Sequence, residues 1–89
     1  MKKKTEMPEL PQSILEAIDN QMRENNPPIV KQTYDRLIKE GHSDDYAHRL
    51  IAFAMMLEVN DMLKTMRMFD VKKYTHTLNR LPELDLDED

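Results

Sequence analysis

Between Ser43 and about Met68 the chain is apolar around most of a helical circumference, with no Pro and no Gly to interrupt it. At about 100° per residue, Ile51, Met62, Met55, Met66, Val59, Ala52 and Leu63 fall on one broad arc. Leu57, Leu50, Ala54 and Ala47 form a second arc, with Glu58 between the two. The polar face is narrow, chiefly Arg49, Asn60, Lys64 and Arg67. A helix apolar on two sides is sandwiched between neighbours. Ser43 suits the N-cap, where its hydroxyl accepts from a free amide of the first turn, and Asp44 and Asp45 then sit at the positive end of the helix dipole. Roughly 25 residues at 1.5 Å each span about 37 Å, whereas a compact chain of this size has a radius of gyration of about 12 Å. The shorter helices must therefore line up along this one, or another chain must cover part of it.

The same spacing predicts three further helices. The first runs from about Pro11 to Arg23 on the stripe Leu10, Ile14, Ala17, Ile18 and Met22. Asn25-Asn26-Pro27-Pro28 stops it, because the residue before a proline is pushed out of the helical region. The second runs from Pro28 to about Glu40 and buries Val30, Tyr34, Leu37 and Ile38, with Gly41 as the left-handed residue that closes it. The last runs from Val71 to about Leu81. Asp70 is its cap, a Phe69–Tyr74 contact its hydrophobic staple, and Pro82 its end. No stretch reads as a strand. The expected fold is all-α: four helices around one long central helix at about residues 43–68, its first half covered by helices one and two and its second by helix four. Residues 10–82 form a single domain, with a flexible arm at 1–9 and an acidic disordered tail at 83–89.

Charge and composition narrow the function more by exclusion than by assignment. The 89 residues carry a formal net charge of −4, with Lys2, Lys3 and Lys4 at one end and Glu83, Asp85, Asp87, Glu88 and Asp89 at the other. No basic face large enough to neutralise several phosphates is present, so nucleic acid is not an expected partner. The Lys2-Lys3-Lys4 arm is the one feature that argues otherwise. A membrane-surface role lacks its basic amphipathic segment, and no run approaches the length of a membrane span. With no cysteine and no apolar run after the basic start, the cytoplasm is the expected location. The single glycine excludes phosphate-cradling loops, dinucleotide turns and the nucleophile elbow, each of which needs two or more.

Candidate chemistry is sparse. Asp45 and His48, three apart on one helix face, make half of a carboxylate-bridged metal site, but such a site needs a second copy and further glutamates. The simpler reading leaves Asp45 to the helix dipole and pairs His48 with Asp44 one turn back. His48, at the centre of the broad arc, and Glu58, between the arcs, are the candidate buried polar residues. A buried Glu58 needs a partner, for otherwise it takes up a proton; Arg36, His76, Tyr34 and Tyr74 are the candidates. No catalytic group, metal ligand set or cofactor is assigned. Methionine adapts its shape and serves both irregular cores and binding surfaces. Met55, Val59, Met62 and Met66 are accordingly the candidate interface, because one short fourth helix cannot cover both arcs.

Asn26-Pro27-Pro28, Tyr34, Leu37, Gly41-His42-Ser43, His48 and Ile51, followed by Phe69-Asp70, Tyr74, Leu78 and Leu81-Pro82, together resemble a family of small bacterial all-helical proteins without an established function. The resemblance implies a bacterial origin and an all-helical fold, and carries over no active-site residue. The expected function is a non-catalytic interaction module, self-associating as a homodimer. The alternative is a small metal-binding protein or enzyme that uses Glu58 with His48 or His76.

Overall fold

The computed structural model describes residues 10–84. The arm expected at 1–9, and residues 85–89 of the tail expected at 83–89, lie outside them; Leu84, placed in that tail, packs against the core. Four helices follow in order: α1 (Gln12–Glu24), α2 (Pro28–Lys39), α3 (Asp44–Thr65) and α4 (Val71–Arg80). The fold is all-α.

Local chemistry sets each boundary. The Ser43 hydroxyl accepts from the Tyr46 amide at the start of α3, and the Asp70 carboxylate accepts from the amides of Lys72 and Lys73 at the start of α4. The Phe69 ring meets Tyr74 edge to face, with centroids 5.4 Å apart. Three helices close through a left-handed residue, which turns the next amides back onto orphan carbonyls. At the end of α1 this residue is Asn25 (φ 53°), and the Asn26 amide donates to the Gln21 carbonyl at 3.0 Å. After α2 it is Gly41 (φ 102°), with the His42 amide on the Leu37 carbonyl at 3.1 Å. After α3 it is Met66 (φ 57°), with the Arg67 amide on the Met62 carbonyl at 3.2 Å. This last closure corrects the expected span of the long helix. No glycine or proline marks Thr65 as its end, yet the chain turns there, three residues before Met68.

The core is built around the first half of α3. Every residue from Leu50 to Met55 is buried, so at this level α3 has no solvent face. Ile18 of α1, Val30 and Leu37 of α2, and Tyr74 and Leu78 of α4 close round it, each 1% exposed or less. Burying a large aliphatic side chain contributes about 1.5–3 kcal/mol relative to leaving it in water, and this cluster draws on all four helices. The helix pairs differ from expectation in one respect: α2 packs on α4 as well as on α1 and α3. Arg36 of α2 makes that contact polar. Its Nη1 donates to the Leu81 carbonyl and its Nη2 to the Leu78 carbonyl, both at 3.0 Å, and so satisfies the free C-terminal end of α4. A further tie joins α4 to α1, where the Tyr74 hydroxyl donates to Gln21 Oε1 at 3.1 Å.

Candidate interaction surface

Beyond Met55 the cover thins. Val59 and Met62 are half-buried, and the side chains turn outward where α3 gives way to α4. Leu63 is 65% exposed, Met66 89%, Met68 86% and Val71 50%. The four candidate interface residues therefore separate. Met55, 7% exposed, belongs to the core, because it lies on the stretch that other helices surround completely. Val59 and Met62 are only half-buried, and Met66 is exposed at the turn. Leu63, Met68 and Val71 are exposed with it. Leu63 was legible on the broad arc. Met68 and Val71 follow the turn at Met66, which the apolar pattern does not signal.

A polar knot holds the corner in shape. Glu58, 5% exposed, accepts at Oε2 from Arg67 Nη1 at 2.7 Å and from the Asp70 backbone amide at 2.8 Å. Arg67 also donates through Nη2 to Asp61, which takes Lys73 Nζ at 2.7 Å as well. The Arg67 hydrogen bond, helped by the Asp70 amide and opposed by burial, holds the Glu58 carboxyl below the usual glutamate range. Lys73 and then Arg67 hold Asp61 at about 2. Glu58 is thus a buried anion with its partners in place. They are not the expected ones, since Arg36 caps α4, Tyr74 donates to Gln21 and Tyr34 lies by Asp44. Arg67 escaped notice because an unbroken helix to Met68 would have set it on the polar face.

Between α3 and α4 lies a cleft of about 370 Å³, lined by Leu57, Glu58, Asp61, Lys72, Lys73, His76 and Thr77. It brings Glu58 and His76 to one place. His48 is not there. It lies at the other end of α3, half-buried rather than buried, at 20% side-chain exposure. Its Nδ1 lies 3.0 Å from the Asp44 carbonyl oxygen and its Nε2 2.8 Å from Asp19 Oδ1. The pairing with Asp44 is the one expected from sequence, whereas the Asp19 contact comes from α1 and has no counterpart in the local pattern. No three His, Asp or Glu side chains among the described residues are placed to share a metal ion. No helix among them is long and apolar enough to cross a membrane.

Fold and surface together define a small four-helix domain with an open apolar corner. Comparison with protein-family models, with curated proteins and with solved structures finds no match for the chain.

Proposed function

We propose that this chain is a non-catalytic helical interaction module that pairs with a second copy of itself through the corner between α3 and α4. The observation that carries the reading is the gathering of exposed Leu63, Met66, Met68 and Val71 at one turn of the chain. Single exposed apolar residues are ordinary, but four so close along the chain, where α3 ends and α4 begins, favour a contact surface. A second copy suits it because a two-fold contact sets the same patch against itself. The charges of the polar knot, Arg67 and Lys73 against Glu58 and Asp61, balance within the chain.

Sedimentation equilibrium across micromolar concentrations tests the reading. The wild-type chain associates. Met68→Lys and Leu63→Lys, each burying an unpaired charge twice in a symmetric contact, sediment as monomers and keep their helical circular dichroism. A wild-type chain that stays monomeric throughout overturns the proposal. The metal or enzyme alternative now rests on Glu58 and His76 sharing one cleft. A bound metal raises the melting temperature by mass action, so melts that coincide with zinc, with iron and with chelator remove it.

A further inference from the structure

The geometry points to His48 as a proton-dependent latch that fastens α1 to α3. Both partners of its ring nitrogens are oxygens that only accept: the Asp44 backbone carbonyl at Nδ1 and the Asp19 carboxylate at Nε2. An imidazole meets two such acceptors only with a proton on each nitrogen, that is, as the imidazolium. A neutral ring has one N–H to offer. Whichever bond it keeps, the other nitrogen turns a lone pair towards an oxygen, and the charge attraction to Asp19 is gone.

The surroundings bear on the same ring. From α1 comes Asp19. From α2 comes Tyr34, whose ring stands at 69° to the imidazole with centroids 5.4 Å apart, and whose hydroxyl donates to Asp44 Oδ1 at 2.5 Å. Asp35, next along α2, acts on the Tyr34 hydroxyl. From α3 itself come Asp44, with Oδ1 3.3 Å from Nδ1, and Asp45, which is taken up by Arg49 Nε at 2.9 Å. Burial of the ring disfavours its charge, but the hydrogen bonds to Asp44 and Asp19 and their negative charge outweigh it, so His48 titrates above the usual histidine value. A solvent cleft of about 350 Å³, bounded by Leu15, Asp19, Asp44, Asp45 and His48, lets protons reach the ring.

The direction of the effect follows from linkage. A histidine whose folded value is raised contributes stability that is fully present below its unfolded value of 6.5 and is lost as pH rises through the folded value. The latch is closed in mild acid and loosens with rising pH. What it releases is α1, the helix that carries Ile18 and the preceding Leu10 into the core.

Histidine side-chain NMR and native-state amide exchange on the full chain, from about pH 5 to about pH 8.5, test this around the ordinary histidine value. We expect a His48 midpoint above 6.5, with both ring nitrogens protonated below it. Exchange protection of the Ile18 and Met22 amides, relative to those of α4, should fall roughly two- to fivefold across that midpoint, as for the loss of one solvent-screened ion pair. In Asp19→Asn, a change at a half-exposed side chain, the midpoint drops and the fall flattens. His48→Gln makes α1 protection independent of pH. The latch is overturned by a His48 midpoint at or below the ordinary value. A fall shared equally by α4 amides, or an Asp19→Asn chain that keeps the full pH response, overturns it too.

Discussion

Glu58 and Met66 decide the geometry of the corner, one through charge and the other through backbone. The Glu58 carboxylate stands among apolar neighbours and takes two donors from a segment that is not helical. Glu58→Gln offers Arg67 and the Asp70 amide a neutral oxygen in place of a carboxylate, so that both bonds weaken. A loss of about 1–2 kcal/mol is expected, read as a lower urea midpoint with an unchanged slope. Met66 holds a left-handed conformation that costs a side-chain-bearing residue about 1–2 kcal/mol, and its side chain meets almost nothing within the chain. Met66→Gly should therefore raise the stability of the monomer by about 0.5–1 kcal/mol, and a lowered melting temperature in dilute solution would refute this. Such residues show what sequence reading can and cannot reach. That Glu58 needed a partner was legible from its place between two apolar arcs. Which partner it finds depends on where α3 stops, and no residue near Thr65 announces a stop.

At the scale of elements the caps were the readable part. Ser43, Gly41, Asp70 and the Phe69–Tyr74 contact all act as their chemistry dictates, because each works within a few residues of itself. Pairing between helices was less legible, since an apolar stripe fixes which face is buried and not what buries it. The contact of α2 with α4 shows the difference: an arginine on a half-exposed position reads as a surface charge, yet Arg36 spans to two carbonyls of another helix. Its planar fork is what reaches both, and a lysine cannot reproduce it. Arg36→Lys should cost about 1 kcal/mol and speed amide exchange in the last turn of α4 ahead of α3. Equal exchange in wild type and Arg36→Lys would show that the fork contributes nothing.

For the whole molecule, Glu58 and His48 bound stability from opposite sides. Glu58, held low, contributes stability that is present above its ordinary value of 4.5 and is lost as pH falls through its folded value. His48 contributes below 6.5 and loses that contribution as pH rises through its own. Thermal stability should therefore be highest between about 4.5 and about 6.5 and decline on both sides. Glu58→Gln should flatten the acid limb and His48→Gln the alkaline one. Melting temperatures that rise steadily to pH 8 would contradict the second half of this expectation.

The contrast among the methionines reaches into redox chemistry. Met66 and Met68 offer their sulfur atoms to water, at 89% and 86% exposure, while Met55 is only 7% exposed. A mild peroxide should transfer one oxygen atom to each of the outer pair, releasing water, well before it reaches Met55. The resulting sulfoxides are polar, and they fall on the surface proposed to join two copies. Association should then fade under oxidant while the helical signal persists, and return when methionine sulfoxide reductase removes the added oxygen. Peptide mass mapping would show which sulfurs had reacted, and an oxidised chain that still pairs as before would place the contact elsewhere.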